Sequence, residues 1–329
     1  MAVTIRDVAG ASGVHVSTVS RTFSAPHLVN AATRTRVLAA ADELGYRPSR
    51  VARALTTGRT HNLGLIVADI ANPFFPPLIK AAQAGARSRD YHLFVADTDE
   101  NPQVEEELIQ TFAKQVDGVV LCSPRLSNKA IGRLREDVPF VVVNRRIEGV
   151  AAVLMDVGQG ARQAVEHLRE LGHRRVAVLT GPAGSWTGAE MCAATAAAPG
   201  LDLTYLGPNA PTENGGRSAA DAVLAAGATG VLAYNDLVAM GLMDELAARG
   251  VRVPGDVSVI GVDDIVTGRH TRPRLTTIAM PTAAAGRTAV DLLLREQAGT
   301  ITLATTLVVR ESTAPPPPHT PSAATDPAS

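Results

Sequence analysis

Apolar positions recur on two different scales along the 329 residues, and the scale changes near residue 60. In the first segment they return every three to four residues in short runs, each bounded by residues that start or stop helices. Thr4 stands three residues before Asp7 and precedes Ile5, Val8, Ala9 and Ser12, which is capping-box spacing, so a helix is predicted from about Ile5 to Ala11. Gly13 permits a tight turn because it has no Cβ, and Val14 and Val19 then face the partner helix. A second helix is predicted from about Val16 to Phe23. A third opens at Asn30, a good cap, spaces Val37, Leu38, Ala41 and Leu44 for a core, and stops at Gly45. Helix, glycine turn, helix is the pattern of a helix-turn-helix. On that pattern Ser17, Ser20 and Arg21 occupy the outer face of the second helix, with hydroxyls and a guanidinium suited to base edges and phosphates.

Beyond about residue 62 the pattern becomes short apolar runs alternating with helix-length amphipathic segments. Predicted strands are 63–68, 92–96, 118–122, 140–143, 175–179, 230–234 and 257–262; helical segments at 78–89, 104–115, 160–171 and 237–249 lie between them. Such alternation predicts parallel sheets covered by helices, in which ligands bind beyond the carboxyl ends of the strands. The run Pro315 to Pro318, with Pro321 and Pro327 among Ser, Thr and Ala, cannot bury a core, so 314–329 is expected to be a disordered tail.

Charge sharpens this division. Residues 1–60 hold eight Arg and no Lys against Asp7, Asp42 and Glu43, a net of +5, so the other 269 carry −6 to give the chain total of −1. A near-neutral chain therefore has a basic head on an acidic body. No charged-then-apolar leader and no apolar run long enough to span a bilayer is present, so the cytoplasm, with association to the nucleoid through DNA, is the expected compartment and no membrane partner is expected. The two cysteines, Cys122 and Cys192, form no disulfide pattern. Phosphate-cradling, dinucleotide, nucleophile-elbow and zinc-protease motifs are all missing, which argues against an enzyme and against a cofactor. His167 and His173 stand six apart, a spacing that gives little reason to expect a metal.

At the level of motifs, Val3 to Ala9, Gly13-Val14, Ser17 to Arg21 and Glu43 to Pro48 resemble the head of lac-repressor (LacI-type) transcription factors. The resemblance runs on through Gly64 to Val67, Asn72 to Phe75, Asp117 to Val120, Glu166 to Leu168, Leu171 to Arg175, Tyr234 to Asp236, Val253-Pro254 and Gly261 to Asp264. Only the tail after about Thr313 falls outside it.

The resemblance implies an all-α helix-turn-helix head at 1–48, a hinge at 49–60, and an α/β body of two parallel-sheet lobes like the periplasmic binding proteins. In that body 61–159 and 281–313 form the first lobe and 160–280 the second. It implies a homodimer reading a pseudo-palindromic double-stranded operator, with Thr4, His15, Val16, Ser17, Thr18, Ser20, Arg21 and Asn30 at the DNA and Val16 suited to a thymine methyl. The hinge segment Ser49 to Leu55 is too short to hold as an isolated helix in water. In the family it folds on DNA; Arg50 and Arg53 lie in it, and Leu55 matches the residue wedged into the minor groove.

For the body, the resemblance places a sugar-like effector against Asn72, Phe74, Asn144, Asn235 and Asp263, with Trp186, the chain's only tryptophan, beside them. Two departures stand out. His15 replaces the family's serine at the start of the second helix, and histidine is a poor cap, so a less satisfied helix entry is expected. The arginine that the family places after the tryptophan loop is missing from Gly188 to Cys192, which leaves Asn235 and Asp263 to hold the ligand or Arg145 to reach in from the other lobe, and predicts weak binding of simple sugars. The resulting reading is a dimeric, effector-controlled repressor. A small-molecule binding protein without DNA function is the alternative, and the basic head argues against it.

Overall fold

The computed structural model describes residues 3–47 and 58–318. Two compact units make it up: residues 1–61 with 115–117, and the rest of the chain.

In the first unit, α1 (Ile5–Ser12), α2 (Val16–Ser24) and α3 (Ala31–Glu43) pack around Val8, Ala9, Val19, Val37, Ala40 and Ala41. Each helix has the start and stop its sequence provides. The Asp7 carboxylate accepts from the Thr4 amide and hydroxyl at 2.8 Å each, which holds its pKa below the usual carboxylate value. Gly13 closes α1 at φ 65°, the left-handed conformation that a glycine adopts without strain. Arg36 Nε donates to the Ser12 carbonyl at 2.9 Å and ties α3 to α1. The expected core differs in one respect: Leu38 and Leu44 are 44% and 37% exposed. Helix α3 buries Val37, Ala40 and Ala41 instead.

The second unit contains two six-stranded sheets. The first lobe runs β1 (Asn62–Val67), α4 (Phe75–Arg87), β2 (His92–Asp97), α5 (Pro102–Phe112), β3 (Val119–Cys122), α6 (Asn128–Leu134), β4 (Phe140–Val143) and β5 (Ala151–Met155). The second runs α7 (Val157–Glu170), β6 (Arg175–Leu179), α8 (Trp186–Thr195), β7 (Asp202–Leu206), α9 (Glu213–Ala225), β8 (Gly230–Leu232), α10 (Asp236–Ala248), β9 (Ser258–Asp263) and β10 (Thr276–Ala279). The chain then returns to the first lobe as α11 (Thr282–Leu294) and β11 (Thr300–Leu303), and ends with β12 (Thr306–Val308). Strand order is β11-β5-β4-β3-β1-β2 in one sheet and β12-β10-β9-β8-β6-β7 in the other, parallel throughout except for β12 against β10. Central strands such as β3 and β4 are buried at every position, as sheets covered by helices on both faces require.

Two boundaries of the sequence reading need correction. Residues 306–308 belong to the second sheet, because β12 pairs with β10. The chain therefore crosses between lobes a third time, at Ala304–Thr305, and 281–313 is not one lobe segment. The segment expected to be a disordered tail also begins too early at 314. Ala314 exchanges hydrogen bonds with the Ser258 hydroxyl at 3.0 Å, and its carbonyl meets His173 Nε2 at 3.0 Å. His173 Nδ1 is occupied by the Thr229 hydroxyl and His167 by that of Thr313, so both histidines fasten the chain's return.

Helices α9 and α10 touch backbone to backbone, since a Cβ on Gly241 would overlap the Glu213 carbonyl and one on Gly216 that of Val238. Gly241→Ala is expected to destabilise the unit by about 1–3 kcal/mol through overpacking. A lowered denaturant midpoint would show it; an unchanged midpoint would mean the helices part freely.

Candidate functional site

Two surfaces carry chemistry. On the head, α2 buries Val19 and Thr22 and leaves Ser17 and Arg21 exposed, with Val16, Thr18 and Ser20 half-buried beside them. The entry to α2 is better satisfied than the sequence suggests. His15 Nδ1 accepts from the Ser17 amide at 3.2 Å and meets the Ser17 hydroxyl at 2.9 Å, so the imidazole caps the helix that a serine would otherwise cap. Thr4 and Asn30 spend their side chains on caps: Asn30 Oδ1 accepts from the Ala32 amide at 2.9 Å. The hinge candidates Arg50, Arg53 and Leu55 lie outside the described residues.

In the body, a cleft open to solvent lies where the carboxyl ends of the strands of both sheets face each other. It gathers five of the seven predicted residues: Asn72, Phe74, Asn144, Asn235 and Asp263. Each is held by its own loop. Asn72 Oδ1 accepts from the Phe74 amide at 3.0 Å and Asn144 Oδ1 from that of Met155 at 3.1 Å, which leaves their amide N–H groups as donors. Asn235 caps α10 through the Val238 amide at 2.8 Å and donates to the Pro211 carbonyl at 2.9 Å. Phe74 packs edge-on to Phe75 with ring centroids 5.0 Å apart. Burial and the nearby Asp236 push the Asp263 carboxyl well above the usual carboxylate range, so its neutral form is favoured. Asp99, Glu100, Ser123, Asn144, Asp263 and Asp264 all have positive φ. Backbone strain of this kind is therefore concentrated in the loops at the strand ends, as at many ligand sites.

The other two predicted residues do not line the cleft. Arg145 turns aside to Asn128 Oδ1 and the Pro124 carbonyl, 2.9 Å each. Trp186 is half-buried as the first residue of α8, and its neighbour Thr187 lines the cleft instead. None of residues 188–192 lines the cleft either; Ala189 is exposed and Met191 lies in the core.

The guanidinium in the cleft is Arg125, which the sequence reading missed. Its fork meets both oxygens of Glu100, and Nη1 donates to the Ser123 carbonyl at 2.8 Å. Its backbone amide donates to Glu105 Oε2 at 2.7 Å; that carboxylate lies 2% exposed beneath the loop, and its burial raises its pKa. The rule that ligands bind after strand ends, applied to Asn72 and Asn144, also covers Arg125, three residues beyond β3.

A three-helix head with an exposed recognition helix, followed by two parallel-sheet lobes around a polar cleft, defines a DNA-binding regulator with a periplasmic-binding-protein-like body. Residues 4–49 match the family described as bacterial regulatory proteins, lacI family, and residues 60–309 match periplasmic binding proteins and the sugar binding domain of the LacI family. The chain belongs to the LacI family of transcriptional regulators.

Among relatives, the transcriptional regulator GalS of Salmonella typhimurium is 32% identical over 319 residues, covering 92% of this chain and 93% of its own. The lac repressor dimer bound to operator and the anti-inducer ONPF superposes with a TM-score of 0.86 at 27% identity, over 95% of this chain and all of that one. The CelR–cellobiose complex gives 0.68 at 32% identity, over 94% and 99%.

Proposed function

We infer that this regulator is a homodimeric repressor whose grip on a pseudo-palindromic operator is set by a sugar-like molecule closing the cleft. The observation that carries the reading is the cleft itself, where both lobes contribute carboxamides, a carboxylate and an aromatic ring to one polar space. Such groups suit hydroxyls and the apolar face of a sugar ring. The CelR relative was captured with cellobiose, and the lac repressor as a dimer on its operator. Phe94 and Val95, 46% and 37% exposed on the edge strand β2, give the first lobe an apolar edge suited to a second copy.

Val16, Ser17 and Arg21 are assigned to bases. Thr4, His15, Thr18, Ser20 and Asn30 are assigned to the backbone, where helix N-termini offer amides to phosphate. Arg50, Arg53 and Leu55 are assigned to the hinge in the minor groove. An effector changes operator affinity only by binding the two states of the body unequally. Selection from a random DNA pool, repeated with a sugar panel, tests this. An enriched inverted repeat whose retention shifts with one sugar is the expected outcome; a pool with no inverted repeat removes the repressor reading.

A further inference from the structure

Taking the cleft as the effector site, Arg125 is the first-lobe cation that shares it with Tyr234 of the second lobe. It comes from the first lobe with its side chain 8% exposed, fixed by Glu100, the Ser123 carbonyl and, at its backbone, Glu105. On the other side stands Tyr234 of the second lobe, whose phenol goes on to the Ser185 hydroxyl at 2.9 Å. Burial works against the charge of Arg125, yet Tyr234 and Glu100 together hold its pKa above the usual value; burial raises the Tyr234 phenol and the guanidinium draws it back. Two hydrogen-bonded pairs, Glu100–Arg125 from the first lobe and Tyr234–Ser185 from the second, thus bring polar groups to the cleft.

We propose that Arg125 is the specificity-determining residue of the effector site, and that its pairing with Glu100 selects an uncharged polyhydroxylated ligand, a sugar without a phosphate or carboxylate group. With Nε and Nη2 forked onto Glu100 and Nη1 donating to the Ser123 carbonyl, Arg125 keeps two of its five N–H donors for a ligand and its charge is already matched by a carboxylate. A phosphate claiming the fork must displace Glu100, which leaves a desolvated carboxylate beside a second negative charge. A hydroxyl needs one donor or one acceptor, and the edge of Arg125, the Tyr234 phenol and the outer lone pairs of Glu100 supply both. The other walls agree. Asn72 and Asn144 present neutral donors, burial works against the charge of Asp263, and the guanidinium of Arg125 is already paired with Glu100. The position is also prepaid, because Arg125 is ordered before any ligand arrives.

The test is calorimetric titration of the full chain, free and bound to its operator, with matched pairs: galactose and galactose 1-phosphate, ribose and ribose 5-phosphate, cellobiose and cellobionate. The uncharged member of at least one pair is expected to bind, with its charged partner weaker by about tenfold or more. Glu100→Gln, which releases the fork and removes the negative charge, is expected to close or reverse that gap. Arg125→Lys, which keeps the charge and loses the fork, is expected to weaken the uncharged sugar by about tenfold while operator binding without sugar persists. A parent protein that prefers the charged members, or a gap that survives Glu100→Gln, overturns the assignment and leaves the effector reading standing. A parent that holds its operator and binds no member of any pair overturns both. Should Arg125→Lys fail to fold, Glu100→Gln alone decides.

Discussion

Arg21→Ala is expected to lower affinity for the selected operator by about 1–3 kcal/mol at each half-site, and so by roughly twice that for a dimer reading both. The side chain is exposed on the outer face of α2, and no ion pair among the described residues ties it to the head. The helix beneath it is rigid: its start is capped by His15, and Val19 is fully buried in the three-helix core. Removing the guanidinium therefore removes a contact to DNA and leaves the fold unchanged. An arginine that touched only phosphate would instead weaken all sequences alike when removed and lower the salt slope by about one. Binding isotherms on the selected and a scrambled duplex, taken across salt concentrations, separate the two. Equal losses on both duplexes for Arg21→Ala would move it from base reading to phosphate contact.

The second large effect concerns pH. Asp236 follows Asn235 at the start of α10, is fully buried, and accepts from the Thr277 hydroxyl at 2.5 Å and the Ile265 amide at 2.9 Å. Burial pushes its pKa up to about 7, against those two hydrogen bonds, which lower it. A carboxyl that titrates near 4 when unfolded and near 7 when folded keeps its proton in the native state across that window. The native state then binds more protons than the unfolded one, and stability falls as pH rises from about 4 to about 7, by an amount on the order of a few kcal/mol. Asp263 has the same sign. Asp236→Asn mimics the protonated acid, with its oxygen to Ile265 and its amide to Thr277, and is expected to remove this part of the slope. Urea denaturation of parent and variant across the window measures it; parallel curves would show that Asp236 stays ionised.

How much was legible depends on the range of the forces involved. The head could be read almost residue by residue, because a capping box, a turn glycine and the Asn30 cap act within a few positions of each other. The buried apolar runs that contain β1, β3, β4, β6, β8 and β9 were equally plain. Less visible were β5, β7 and β10, and the three- and four-residue strands β12 and β11, which lie at or near sheet edges and take their identity from a neighbour. His15 shows the limit even at short range. Residue preference calls it a poor cap, and only the rotamer reveals the Ser17 amide within its reach.

In the cleft, the sequence by itself determined which loops surround the ligand space, since every parallel strand delivers its carboxyl end to the same rim. It could not determine which side chains point inward. Arg125 and Arg145 both follow strands of the first lobe, and the sequence reading named only Arg145 as a replacement for the arginine missing at 188–192. The tertiary structure chose Arg125, because Glu100, delivered from the loop after β2, captures its fork, while Asn128 and the Pro124 carbonyl draw Arg145 aside. A long cation takes the direction set by its nearest acceptors, and those acceptors come together only when distant segments fold onto one sheet.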